Sequence, residues 1–170
     1  MNDLRRACET FDRAEFAAFE GLPDGLTVDE LEELLPVDRV VVGRGLLGSS
    51  RRYASWAGAE SQTFSGGIRV WHDGGRVLVL EGLDPVDTAA PDLGEPDAAL
   101  DWALGHLPLP GGELVYAGRG LALRLNPENG VLLAALAFAP TTADEYEAGL
   151  RPDVPRQQAP PERAPEGRAA

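Results

Sequence analysis

The sequence contains no lysine; all fifteen of its basic residues are arginine. It has one cysteine, Cys8, one isoleucine, Ile68, and two histidines, His72 and His106. A single cysteine excludes an internal disulfide and a cysteine-based zinc finger. No His-x-x-x-His or Cys-x-x-Cys spacing occurs, and no histidine sits with carboxylates at ligand spacing, so no metal or cofactor is expected. Ser49-Ser50 lies in no Gly-x-Ser-x-Gly elbow. No apolar run approaches the roughly 18 residues of a membrane span. No basic start leads into an apolar segment of the secretory type, so a cytoplasmic protein is expected. The arginine-only basic set, with abundant Ala, Gly, Pro and Asp, fits a GC-rich bacterial genome.

What is present suffices for a core. The chain has 170 residues, 44 % of them apolar, which points to one folded domain and against wholesale disorder. The net charge of −13 argues against nucleic-acid binding, because phosphate backbones are met by positive patches. The charge is also segregated. Residues 1–36 carry −7, residues 37–82 carry +2, residues 83–114 carry −7 without one arginine, and the remainder is nearly balanced. Such blocks read either as solubilising surface or as an acidic face for a basic partner.

The hydrophobic period gives the element order. Residues 3–20 read as an amphipathic helix with Leu4, Cys8, Phe11 and Phe19 on its stripe, which makes Cys8 a buried thiol. Gly21 and Pro23-Asp24-Gly25 end it. Thr27 and Glu30 form a capping-box pair opening a second helix with Val28, Leu31, Leu34 and Leu35 on its apolar face, stopped by Pro36. The period then becomes two. Short strands are expected at 39–42, 52–56 and 114–116. Hairpins are expected at 67–82 around Asp73-Gly74-Gly75 and at 120–138 around Pro127-Glu128-Asn129-Gly130. Residues 83–113, rich in Pro, Asp and Gly, read mostly as connection. Thr142 and Glu145 open a terminal helix near 143–150. Residues 152–170 read as a disordered tail.

Residues 64–85 and 116–140 resemble each other. Each has an aromatic, a glycine-rich step, an alternating strand, an Asx/Gly turn, an apolar return strand and a proline. Two similar hairpin units side by side in one sheet are therefore expected, within a single domain, 1–151, whose repeated units span 26–85 and 93–140. The fold class expected is α+β: an antiparallel sheet of about five to seven strands, N-terminal helices packed on one face, and a short C-terminal helix. Thr27–Leu35 and Leu93-Gly94-Glu95-Pro96-Asp97 resemble the helix and the strand-leading turn of the small α+β modules of β-lactamase-inhibitor proteins and outer-membrane assembly lipoproteins. That resemblance covers roughly 26–140 and implies a binding role without turnover. The sequence departs from those proteins in lacking a signal peptide, a lipid-attachment cysteine and paired cysteines.

Several constellations bear on chemistry. Gly43-Arg44-Gly45-Leu46-Leu47-Gly48 matches G-x-G-x-x-G, but no clean helix follows and the next strand enters a hairpin, so it reads as a glycine loop and not as a dinucleotide site. Arg44, Arg51 and Arg52 form the one basic cluster, a candidate anion clamp. His72 beside Asp73 reads as turn chemistry before it reads as an oriented base. Trp71 and Arg69 fall on the pleat face opposite Ile68 and Val70. Together they are either an exposed anchor for a partner or a pair covered by a helix. The expectation is a non-catalytic cytosolic protein-binding module of inhibitor, immunity or adaptor type. Its partner surface would comprise Asp92, Asp97, Asp101, Trp71 and Arg69, its partner would be a protein with a basic surface, and neither nucleic acid nor membrane would be involved. The alternative is a small-molecule or anion binder, or a minor enzyme, with a pocket near Arg44, Arg51 and Arg52.

Overall fold

The computed structural model describes residues 2–13, 15–34, 41–45, 59–64, 68–83, 89–104 and 106–152. α1 (Asn2–Asp12) buries Leu4, Cys8 and Phe11 along one stripe, as their spacing requires. It does not run to residue 20. In a continuous helix Phe16 would lie five positions past Phe11, roughly 140° around the axis, and would face away from the core. The chain turns instead through a 3-10 segment at Phe16–Ala18. Phe11, Phe16 and Phe19 then all bury, with the Phe11 ring 6.0 Å from that of Phe16 and 5.9 Å from that of Phe19.

α2 (Val28–Glu32) starts at the expected cap. The Glu30 amide donates to Thr27 Oγ1 at 3.3 Å, and the Thr27 hydroxyl donates to the Glu30 carboxylate at 3.1 Å. Val28 and Leu31 supply its buried face. The stop expected at Pro36 lies outside the described residues.

The sheet has eight strands: β1 (Val41–Gly45), β2 (Ala59–Phe64), β3 (Ile68–Asp73), β4 (Arg76–Leu83), β5 (Ala98–Leu104), β6 (Leu107–Tyr116), β7 (Leu121–Leu125) and β8 (Leu132–Ala137). Every pairing is antiparallel, and the spatial order is β1-β2-β3-β4-β8-β7-β6-β5. Each half is a four-strand meander. The halves meet through their last strands, with Leu80 opposite Ala137. The α+β class, the single antiparallel sheet and both hairpins are as expected. Gly74 and Gly75 take φ of +58° and +87°, as a two-residue turn between twisted strands demands.

Three expectations need correcting. Within 83–113, expected as mostly connection, lie β5 and most of β6, whose last three residues are the strand expected at 114–116. Ala98–Leu104 has no β-branched residue, and β6 contains Pro108 and Pro110, so neither shows the usual strand signature. The prolines are tolerated because β7 pairs only with residues 113–116 of β6. This leaves the 107–112 stretch without a strand partner on that side among the described residues. The strand count is therefore eight, above the five to seven expected. The short terminal helix expected near 143–150 is present, but only its first turn, α3 (Ala143–Glu145), is α-helical, the rest being a π-type turn at Tyr146–Leu150. Pro152, assigned to the tail from sequence, is buried, and its carbonyl accepts from Arg124 Nη2 at 3.4 Å. The rest of the expected tail, and the strand expected at 52–56, lie outside the described residues.

Both sheet faces are covered. On one, α1, the 3-10 turn and α2 pack over Ile68, Val70, Leu80, Leu121, Leu123, Leu132, Ala135 and Ala137. The N-terminal segment is also stitched to the hairpin turn, the Val28 amide donating to the Gly75 carbonyl and the Val77 amide to the Leu26 carbonyl, each at 2.8 Å. On the opposite face Trp71, Val79, Val115, Ala122, Leu136, Phe138 and Tyr146 form a second buried cluster. Tyr146 stacks on Phe138 at 4.6 Å between ring centroids. Among the described residues no helix is long and apolar enough to cross a membrane.

Candidate functional site

β5 ends the strand order, so one side of it has no strand neighbour among the described residues. The approach to this edge and the strand itself carry Asp92, Glu95, Asp97 and Asp101, all exposed. Three of them also hold the local backbone. Asp92 Oδ1 accepts the Gly94 amide at 3.1 Å, Asp97 Oδ2 accepts the Ala117 amide at 2.8 Å, and Asp101 Oδ1 accepts the Gly111 amide at 2.9 Å. Asp97 thereby ties the start of β5 to the turn after β6. Asp101 sits where the β5–β6 register shifts, between Leu100 and Trp102. Glu95 makes no such bond among the described residues. Near the tip of the same hairpin Leu107 is 50 % exposed, the large apolar side chain left open among the described residues.

Trp71 is not an exposed anchor. It is 4 % exposed, its ring lies in the cluster under Tyr146, and its indole N–H donates to Glu81 Oε1 at 2.9 Å. Arg69 stands 3.6 Å from the same oxygen, with its guanidinium 5.8 Å from the Trp71 ring. Trp71 is thus covered while Arg69 remains partly exposed, its side chain at 36 %, and Trp71 shares its buried cluster with Tyr146 of the C-terminal segment.

Sequence reasoning missed the most concentrated chemistry, which lies on this same face. Glu113 of β6 is fully buried, and Arg124 of β7, its direct cross-strand partner, is 3 % exposed. Arg124 Nε lies 3.5 Å from Glu113 Oε1, and Arg151 Nε donates to the same oxygen at 2.6 Å. The Tyr146 hydroxyl donates to Glu113 Oε2. The Arg124 guanidinium is 5.4 Å from the Trp102 ring. With Arg69 and Glu81 these groups make a row of alternating charge: Arg69, Glu81, Arg124, Glu113, Arg151. Burial pushes the Glu113 carboxyl up, but Arg124, Arg151 and the Tyr146 hydroxyl outweigh it and hold the group below its ordinary 4.5. Burial and the neighbouring carboxylate push the Tyr146 phenol well above 10. Burial works against the charge on Arg124, yet Glu113 raises its affinity for the proton overall. Glu113 is held as the carboxylate and Tyr146 as the neutral phenol, both shifted away from pH 7, so the pair is not poised for proton transfer there. It serves as an anchor. The sequence signal was the lone charges inside apolar strands, Glu81 in Val-Leu-Val-Leu-Glu-Gly, Glu113 in Gly-Gly-Glu-Leu-Val-Tyr and Arg124 in Leu-Ala-Leu-Arg-Leu.

The basic cluster is not assembled within the described residues. Arg44 is at a β1 position opposite Glu60, and Arg51 and Arg52 lie outside. Gly43 and Gly45 belong to an antiparallel strand, which excludes the parallel crossover a dinucleotide site needs. His72 is buried at the end of β3, and neither ring nitrogen has a hydrogen-bond partner among the described residues. A groove of about 500 Å³ runs between α1 and residues 18–23, lined by Arg6, Thr10, Phe19, Gly21 and Pro140 among others. No group of three or more His, Cys, Asp or Glu residues capable of holding a metal ion occurs among the described residues. No family model matches the chain, and no curated protein or solved structure shows significant similarity to it.

Proposed function

We propose that the protein is a non-catalytic binding module of inhibitor, immunity or adaptor type that meets a basic protein surface along its β5 edge. The observation that carries this reading is the combination found there: a strand with no strand neighbour on one side among the described residues, four exposed acids at Asp92, Glu95, Asp97 and Asp101, and no arginine anywhere in residues 83–114. Unopposed like charges repel one another on a small domain, and a complementary partner offsets that repulsion while gaining association rate from long-range attraction. Leu107, exposed at the tip of the β5–β6 hairpin, supplies an apolar contact to the same partner. The resemblance of 93–97 to a turn in inhibitor-type modules points the same way, since Asp97 immediately precedes β5.

The test begins with affinity capture from the native host and identification of the bound protein by mass spectrometry. Association is then timed at 50 and 500 mM salt. Steering between exposed charges is screened over about 8 Å at physiological ionic strength, so association slows markedly across that range. Glu95→Arg and Leu107→Asp are the informative variants, because neither side chain holds the local backbone. Both weaken binding and leave the melting temperature unchanged. An acidic partner, or an association rate indifferent to salt, removes this reading.

A further inference from the structure

The C-terminal segment 141–152 differs from the other elements in how it is held. It buries Tyr146 and Pro152, with Ala143 and Leu150 only partly covered. α1 by contrast buries Leu4, Cys8 and Phe11. Segments with few buried apolar contacts open locally at a fraction of the global unfolding free energy. The remaining attachment is polar: the Thr141 amide donates to the Ala117 carbonyl at 2.9 Å, Arg124 Nη2 donates to the Pro152 carbonyl at 3.4 Å, and the side-chain bonds of the segment centre on Glu113. Tyr146 and Arg151 reach the two separate oxygens of the Glu113 carboxylate. Residues five apart do not share a face of an α-helix. Here the π-type turn makes them share one: the Arg151 amide donates to the Tyr146 carbonyl at 2.8 Å, which sets the two residues one turn apart. The irregular turn is thus what allows both side chains to grip a single carboxylate.

Arg151 does a second thing. Its Nη2 donates to the backbone carbonyl of Asp101, a residue of the edge strand β5. The segment therefore fastens itself to the edge where the acids lie, and it brings an arginine there. Opening it would not strand the charge beneath, because Glu113 still faces Arg124 across the ladder at 3.5 Å.

The geometry points to residues 141–152 being a releasable latch on the β5 edge, with Arg151 standing in for the basic group of a partner. Closed, the latch occupies the Asp101 carbonyl and covers the sheet face around Val115 and Phe138. Open, it yields both, and a partner's arginine takes the position of Arg151. The consequence for binding rests on the β5-edge reading above. The latch itself is testable without any partner.

Amide hydrogen exchange on the full chain reads it directly. In the wild type, amides of 143–152 should exchange at least ten times faster than those of β3, β4 and β7, in a process insensitive to low urea. Arg151→Gln should speed exchange a further tenfold in 143–152 and in 98–103 while leaving β3 and β4 unchanged. Tyr146→Phe, which keeps the ring on Phe138, should do so to a lesser degree. Arg151→Lys, which keeps the charge at Glu113, should recover part of the protection. Val79→Ala, a core change, should raise exchange everywhere and marks what a merely structural loss looks like. The latch is overturned if 143–152 exchanges only with global unfolding, if the Arg151 and Tyr146 variants accelerate every segment alike, or if they fail to fold. If exchange behaves as expected but Glu95→Arg leaves partner association unchanged, the latch stands and the docking surface falls.

Discussion

Replacing Glu113 by glutamine keeps the volume and one acceptor oxygen and removes only the charge. The carboxylate it removes is fully buried, with Arg151 Nε at 2.6 Å and Arg124 Nε at 3.5 Å. Without it Arg151 loses its carboxylate, and Arg124, 3 % exposed, keeps only the weaker attraction of Glu81. Breaking a buried pair by removing one partner costs about 3–5 kcal/mol. The glutamine oxygen retains one hydrogen bond, so the lower end, about 3 kcal/mol, is expected. Urea unfolding followed by tryptophan fluorescence measures it, since Trp102 lies against Arg124 and Trp71 against Glu81. The midpoint should fall with the slope unchanged.

The same variant carries a pH signature. The carboxyl of Glu113 is held below its ordinary 4.5 in the folded chain. A group whose folded value is depressed contributes stability that is fully present above the unfolded value and is lost as pH falls through the folded one. The gap between wild type and Glu113→Gln should therefore be constant from pH 7 down to about 5 and shrink progressively below about 4.5. In a double-mutant cycle, Glu113→Leu with Arg124→Leu should cost less than the sum of the single changes, by about 1–3 kcal/mol. A loss under about 1 kcal/mol for Glu113→Gln, or a gap that stays constant into strong acid, would refute the view that this carboxylate is the anchor of the face.

Other expectations follow from single contacts. Asp97→Ala should lower stability by about 1.5–3 kcal/mol, because a charge-assisted bond to the Ala117 amide is lost, whereas Glu95→Ala should be neutral; denaturant melts compare them. Gly120→Ala should be poorly tolerated, since an added Cβ would lie 2.1 Å from the Phe138 carbonyl oxygen at a φ of +63°; a soluble, normally melting variant would contradict the close approach. Thr142→Ala should cost about 1 kcal/mol through loss of the cap on the Glu145 amide at 3.2 Å, and the loss should appear first as faster exchange in 143–152. In an alkaline absorbance titration Tyr146 should ionise only with unfolding, because burial and Glu113 both oppose its phenolate.

What the sequence disclosed was local and periodic. The capping pairs at Thr27/Glu30 and Thr142/Glu145, the positive-φ turn at Gly74-Gly75 and the alternating strands of both inner hairpins need only neighbours in the chain to be recognised. What stayed hidden depends on partners far away. Ala98–Leu104 becomes a strand because β6 is there to pair with it, and no propensity within the segment says so. Phe16 turns inward because the Phe11 and Phe19 rings wait for it across a break. Exposure of Trp71 hinged on residues 141–152, whose one-turn helix and π-type turn have no period to read. The acids at 92, 97 and 101 were found as charge but not as backbone caps, since their amide partners, Ala117 for Asp97 and Gly111 for Asp101, are brought in by the fold.

The two inner hairpins share a detail that composition cannot produce. In β3–β4 the register shifts between Trp71 and His72, opposite Val79 and Val77, which leaves Leu78 unpaired. In β7–β8 it shifts between Arg124 and Leu125, opposite Ala134 and Leu132, which leaves Leu133 unpaired. The bulges fall at the same place in each unit when 68–83 is laid on 121–138. An extra residue in a return strand breaks the alternation and sends two consecutive side chains to the same side. This is why Val-Leu-Val-Leu and Leu-Leu-Ala-Ala read as unbroken apolar runs though each strand has two distinct faces. The bulges also set Trp71 and Arg124 at equivalent positions, and each donates to or pairs with a buried glutamate, Glu81 and Glu113 respectively. The glutamates themselves are not equivalent: Glu81 lies on β4, the return strand of its hairpin, whereas Glu113 lies on β6, the strand before its hairpin. The bulge is thus repeated, while the charged row is assembled once, across both meanders, and is closed by the C-terminal arginine that also holds the β5 edge.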